Sequence, residues 1–214
     1  MEGHLTTFLE GLKELNIELT PTQIGQFKSY YSEVALFNRR LKLVGAEGAD
    51  FVIKHLLDSL TPLNYFRELL NKNSTLCDAG SGAGLPGIPL AIALPEYPFT
   101  LVERSGRRAG FLRNAVAMTQ LTSQVEIFEQ DINEVTQQFD IVTFRAFLPL
   151  EKVMDQLSNI LKPGGTIGAY KGRRGLLEEE LAPLSATWES EIIELKVPFL
   201  ESERTFCLLR RRGE

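Results

Sequence analysis

Residues 76–92 read LCDAGSGAGLPGIPLAI: an apolar run, an acid at Asp78, glycines at positions 80, 82, 84 and 87, then a second apolar run. A glycine turn between a strand and a helix lets a ligand approach the backbone, and the helix start behind it offers unpaired N–H groups. Gly82-Ala-Gly84-Leu-Pro-Gly87 meets the dinucleotide pattern, and Glu103 lies 19 residues beyond Gly84, where a carboxylate can take a ribose diol. Such a ribose belongs equally to NAD and to S-adenosylmethionine. Asp78 favours the second, because a carboxylate directly before the turn suits a cationic amino-acid end and repels a pyrophosphate. The loop residues Asp78, Gly80, Ser81, Gly82 and Gly84, with Glu103, are therefore candidate cofactor contacts.

Other reaction chemistries find little support. The chain has only His4 and His55, and no nucleophile–base constellation that would move a proton. Cys77 and Cys207 are far apart, with no CxxC and no Cys/His cluster, so neither a structural metal nor a disulfide framework is expected. Both read as buried free thiols of a reducing compartment.

The elements that must position these residues follow from apolar spacing. Leu5, Phe8, Leu9, Leu12 and Leu15 recur at helical intervals, and Thr20-Pro21 supplies an N-cap with proline at the first helical position of a second helix through Ile24, Phe27, Tyr31 and Val34. A third helix starts near Asp50 and stops near Thr61-Pro62. Beyond it the period changes: residues 74–79, 98–103, 124–128, 139–144 and 165–170 read as buried strands, alternating with helices such as 107–119 and 150–161. That is an α/β pattern, a parallel sheet with helices on both faces. A charged helix at 176–181 and two strands, 191–197 and 204–210, form a C-terminal antiparallel β-hairpin. An N-terminal helical extension (1–70) and a Rossmann-like core (71–214) are expected to pack as one compact domain.

Length, 214 residues, suits that arrangement, and the net charge of −5 with a pI near 5.3 excludes a global positive field. Any nucleic-acid surface must be local. No cationic start with an apolar core opens the chain and no apolar run approaches a membrane span, so a cytoplasmic protein without membrane or metal is expected, as a monomer.

The order of features resembles class I methyltransferases, and more narrowly the GidB/RsmG family of bacterial methyltransferases acting on guanine N7 of small-subunit (16S) ribosomal RNA. The resemblance rests on FNRRLKL (37–43), KHLLDSL (54–60), GSGAGLPGIPLAI (80–92), TLVERSGRRAGFLRNAV (100–116), FRAF (144–147), YKG (170–172) and SERTF (202–206). The chain has Lys42-Leu43-Val44 where the family commonly has Asn-Leu-Thr, and Asp131-Ile132-Asn133 where it commonly has Arg-x-Glu. The resemblance implies S-adenosylmethionine as cofactor, with Gly80 and Leu85 bordering its methionine and ribose and Glu103 on the ribose. Asp131, Ile132 and Asn133 would face adenine, and Arg145 would stand at the mouth shared with guanine, in a positioning role.

Guanine N7 carries an in-plane lone pair, so such a transfer needs no general base and asks for placement instead. His55 and Asp58, at i and i+3, read first as a packed or capping pair holding their helix on the sheet, with a substrate-facing role as the alternative. Phe147 is a stacking candidate for a splayed base. Arg104, Arg107, Arg108, Lys171, Arg173 and Arg204 form the candidate RNA-binding rim, with Lys171 equally suited to a neighbouring acid. Rival expectations are a methyltransferase for another RNA or a small molecule, an NAD-linked oxidoreductase, and a non-enzymatic RNA-binding factor.

Overall fold

The computed structural model describes residues 1–145 and 149–213. Its N-terminal part is helical, as the apolar spacing requires. Helix α1 (Leu5–Glu14) buries Phe8 and Leu12 and leaves Leu9 exposed. Helix α2 (Pro21–Leu41) opens on a capping box: the Thr20 hydroxyl accepts from the Gln23 N–H at 3.2 Å, and the Gln23 side chain accepts from the Thr20 N–H at 2.8 Å. Helix α3 (Gly48–Phe51) runs through a π-helical stretch (Val52–Leu57) into α4 (Asp58–Leu60). Pro62, which signals a stop, also serves as the N-cap of α5 (Leu63–Leu69), a helix the apolar spacing did not announce.

The remaining elements alternate. They are β1 (Leu76–Ala79), α6 (Gly87–Ala93), β2 (Phe99–Val102), α7 (Gly106–Met118), β3 (Val125–Phe128), β4 (Phe139–Arg145), α8 (Leu150–Asn159), β5 (Leu161–Lys171), α9 (Arg174–Leu181), β6 (Trp188–Leu195) and β7 (Arg204–Arg211). The seven strands form one sheet in the order β3-β2-β1-β4-β5-β7-β6. The first five strands are parallel, and β7 runs antiparallel between β5 and β6. The C-terminal hairpin is present, with its second strand inside and its first at the edge. Strand β5 begins earlier than its apolar run suggests: Leu161 already pairs with Phe139, and a register shift follows before Thr166 meets Ile141.

Strand alternation divides the core into two layers. In β1, Leu76 belongs to the layer under α1, α2, α6 and α7, whereas Cys77 and Ala79 belong to the layer under α8 and α9. Both cysteines are buried free thiols. Phe8, Phe27, Tyr30, Leu56 and Leu57 of the N-terminal helices share one hydrophobic cluster with Ile88, Leu101 and Phe111 of the sheet layer. Polar ties reinforce it: Gln23 Nε2 donates to the Ile92 carbonyl at 2.7 Å, Gln26 Nε2 to the Thr119 carbonyl at 2.8 Å, and Asn114 to the Glu33 carboxylate. No helix of the described residues is long and apolar enough to cross a membrane, and no group of three or more metal-binding side chains occurs among them.

Candidate active site

Strand order reverses at β1, whose neighbours β2 and β4 leave it in opposite directions, and a crevice opens there at the carboxyl ends of the strands. The crevice is a cavity of about 560 Å³, within the range of small-molecule sites. Gly80, Ser81, Gly82, Leu85, Glu103, Asp131, Ile132 and Arg145, eight of the cofactor candidates read from the sequence, all line it, and so do Arg104 and Arg108 of the candidate RNA-binding rim. Gly80, Gly82 and Gly84 have φ of 72°, 56° and 84°, a region that admits glycine without strain.

Glu103 is the keystone of the loop. The residue is 5% exposed, and its carboxylate accepts the Gly82 N–H at 2.9 Å on Oε2 and the Ser105 N–H at 2.8 Å on Oε1. Each oxygen keeps a lone pair for a ligand diol. Across the loop, Tyr30 of α2, wholly buried, donates its hydroxyl to the Ala83 carbonyl at 2.7 Å. The N-terminal extension thus holds the glycine loop directly.

Three expected contacts stand elsewhere. Asp78 does not line the cavity. Strand alternation puts it on the Leu76 face, toward α6, where Oδ2 accepts the Gly87 N–H at 3.0 Å. The glycine there makes room, since a Cβ on Gly87 would lie 2.6 Å from that oxygen. Burial pushes the Asp78 carboxyl up to about 7, and Oδ1 has no hydrogen-bond partner among the described residues. Gly84 is also absent from the lining; its missing Cβ admits the Ile88 side chain, 2.5 Å from where it would sit. Asn133 turns back on its neighbour, its N–H and Nδ2 donating to Asp131 Oδ1 at 3.0 and 2.8 Å. The bond from the Asn133 backbone holds the Asp131 carboxyl below the usual range.

Several lining residues escaped the sequence reading. Gln130 precedes the Asp131 turn, and Leu43 and Val44 follow α2 at the positions where the family pattern departs. Phe144 and Val102 reach the cavity from the α8 layer, and Gln156 comes from α8 itself. Alternation along β2 and β4 was the available signal for the two strand residues; nothing local marked Gln156.

A second cavity, about 280 Å³, lies beyond Arg145, whose side chain lines both. Lys54, His55, Asp58, Tyr170 and Arg204 contribute to it. Asp58 is 3% exposed and bridges two guanidiniums: Oδ2 accepts from Arg145 Nη1 at 3.3 Å and Oδ1 from Arg204 Nε at 3.1 Å. Burial pushes the Asp58 carboxyl up against the pull of the two arginines. The packed-pair reading of His55 and Asp58 is met in part, because Asp58 ties its helix to β4 and β7. His55 is not its partner. The buried Nδ1 of His55 has no hydrogen-bond partner among the described residues, and burial together with Arg145, Arg204 and Lys54 holds the ring down to about 3, hence neutral. Tyr170 donates to the Ser59 carbonyl at 2.7 Å and closes the floor.

Of the remaining rim, Arg104, Arg107 and Arg108 are exposed at the start of α7, and Arg173 is exposed at the N-cap of α9. Lys171 is buried on the α9 side of β5, 2.5 Å from Glu180 and 5.9 Å above the Phe144 ring centroid, so of its two readings the acid partner is the one present. Phe147 lies outside the described residues.

Residues 23–207 match the GidB family model, described as rRNA small subunit methyltransferase G. The chain is 40% identical over 206 residues to the ribosomal RNA small subunit methyltransferase G of Treponema pallidum (strain Nichols), covering 91% of this chain and 89% of that one. It is 33% identical to the protein of the same name from Borrelia recurrentis (strain A1), covering 96% and 97%. Among solved structures, the tRNA methyltransferase TrmI of Aquifex aeolicus superposes with a TM-score of 0.56 at 14% identity, covering 72% of this chain and 70% of that chain. The Methanococcus jannaschii fibrillarin pre-rRNA processing protein gives 0.53 at 16%, covering 67% and 69%. These structures share the fold.

Proposed function

The chain belongs to the GidB family of rRNA small subunit methyltransferases, and from that premise we propose that it transfers a methyl group from S-adenosylmethionine to N7 of a guanine in small-subunit (16S) ribosomal RNA. The observation that carries the reading is Arg145, the shared wall of the two cavities. A cofactor in the larger and a base at the smaller would meet across one side chain.

The residues of the larger cavity fit S-adenosylmethionine. Glu103 offers acceptors for its ribose, Leu85 borders the methionine and ribose, and Val102 and Ile132 offer apolar surface for adenine. Asp78 serves the cofactor site through the loop, its Oδ2 accepting the Gly87 N–H behind the glycine turn, and not through contact. The reversed strand β7 between β5 and β6 also departs from the six-stranded parallel order of dinucleotide folds. When bound, this cofactor supplies an electrophilic sulfonium methyl.

The chain's own residues have the tasks of placement and water exclusion. The N7 lone pair needs no deprotonation, and the one histidine at the site is held neutral by burial, in keeping with a reaction that moves no proton. Asp58 fixes the Arg145 and Arg204 guanidiniums, and the anion among them tempers their repulsion of a ring that becomes positive as it is methylated. The test is transfer of labelled methyl from S-adenosylmethionine to small subunits lacking the modification, with naked rRNA alongside, followed by cleavage selective for 7-methylguanine. One cleavage site is expected. Label elsewhere on the ribosomal RNA, or none, refutes the assignment.

A further inference from the structure

Residues 178–180 of α9 are three successive glutamates with different surroundings. Glu178 pairs with Arg174 at the surface and Glu179 is exposed. Glu180 follows the buried Leu177 by three residues, so the helical period turns it toward the α8 layer in which Leu177 packs. There a single oxygen, Oε2, accepts from two other elements: the Leu150 N–H at 2.9 Å and the Lys171 ammonium at 2.5 Å.

Both donors belong to walls of the site. Leu150 is the first residue of α8, whose N-cap, Pro149, makes no side-chain capping bond; the Glu180 carboxylate caps it from another helix and lies well against the positive end of the helix dipole. Val153, Gln156 and Leu157 of that helix form one wall of the cofactor cavity. Lys171 ends β5 and lines the second cavity, and its ammonium stands over the ring of Phe144, which lines the first. Phe144 in turn precedes Arg145, the side chain common to both. Glu180 lines neither cavity, yet one of its oxygens is bonded to elements that wall the two.

We propose that Glu180 is a positioning residue for methyl transfer, fixing the α8 wall of the cofactor cavity and the Lys171 side of the second cavity to each other through one carboxylate. The proposal rests on the rRNA reading above and adds a residue that acts from outside both cavities. Without that carboxylate, the anion left to the Lys171 ammonium in the second cavity is Asp58, the one carboxylate lining it among the described residues. Asp58 already holds Arg145 and Arg204, so the disturbance passes to the side chain that divides the cavities. A displacement on the order of 1 Å there is enough to spoil in-line placement.

Glu180→Gln tests this, because glutamine keeps the shape but has one acceptor oxygen, and its NH₂ must face either the ammonium or the Leu150 N–H. The experiment measures single-turnover transfer of labelled methyl from saturating S-adenosylmethionine, with protein in excess over unmodified small subunits and well below the melting range of each variant. Glu180→Gln is expected to lower the rate about tenfold, while affinity for S-adenosylhomocysteine by calorimetry stays within about threefold, since the Glu103 and glycine-loop contacts are untouched. Lys171→Met is expected to lower the rate by a similar factor, and the double variant by no more than the larger single loss, because both changes remove the same pair. A Glu180→Gln rate within about twofold of the parent, whatever its melting temperature, would overturn the proposal and leave Glu180 a structural cap. Lost cofactor affinity with a full rate at saturation would overturn it too, and so would losses that multiply to about a hundredfold in the double variant. A parent that labels no small subunit would remove the rRNA reading, and the positioning role with it.

Discussion

Glu103→Gln isolates the keystone of the cofactor loop. The carboxylate accepts from two backbone donors, Gly82 N–H at 2.9 Å and Ser105 N–H at 2.8 Å, from a position 5% exposed. Glutamine has the same shape and one acceptor oxygen; its NH₂ must face one of those two donors. One hydrogen bond to a charged group is lost and one buried N–H is left unpaired, a cost of about 2 kcal/mol. The loop conformation and the ribose share that cost, so affinity for S-adenosylhomocysteine should fall about fivefold if the share is equal and at most roughly thirtyfold, taking about 1.4 kcal/mol per tenfold. Isothermal calorimetry reads the affinity, and binding to small subunits without cofactor serves as the control that should not move. A variant that binds S-adenosylhomocysteine within about twofold of the parent would refute the reasoning, since neither the loop bond nor the ribose contact would then depend on the charge.

Three further outcomes are expected. Tyr30→Phe removes the only hydroxyl donor to the Ala83 carbonyl among the described residues, costing about 1–2 kcal/mol and lowering Tm by about 3–6 °C; an unchanged melting curve would detach α2 from the glycine loop. Arg145→Lys keeps a cation for buried Asp58 but loses the planar fork, so the protein should fold while single-turnover transfer at saturating cofactor falls about tenfold or more, and an unchanged rate would take Arg145 out of the reaction centre. Asp78→Asn reports on pH: burial raises the folded carboxyl to about 7 from its ordinary 3.8, so its stabilisation is complete below about pH 4 and is lost as pH rises through about 7. In urea melts the parent should therefore lose about 3 kcal/mol relative to the asparagine variant between about pH 4.5 and 8, and parallel pH profiles would contradict the burial argument.

The sheet and its glycine loop were legible because their determinants are local. Apolar alternation marks a strand, and glycines mark a turn that must enter positive φ; in the structure Gly80, Gly82 and Gly84 do so. The Thr20 cap was legible for the same reason, since its partner Gln23 is three residues away. The acid expected at the end of β2 also lines the cavity, because its place follows from strand length.

Partnerships across the fold were not legible. Asp78 lies next to the glycine turn in sequence, yet the two-residue period of β1 turns it toward α6 and away from the cavity, and only the Gly87 approach shows why it can stay there. His55 and Asp58 share a helix face, but Asp58 takes its partners from 87 and 146 residues away. Spacing along a chain specifies which face a side chain takes; what stands opposite depends on how sheet and helices pack. Sequence alone therefore determined the sheet, the loop and the family resemblance. Tertiary packing decided that Arg145 divides two cavities and that Tyr30 holds the loop, because each is a meeting of segments whose separation no local period encodes.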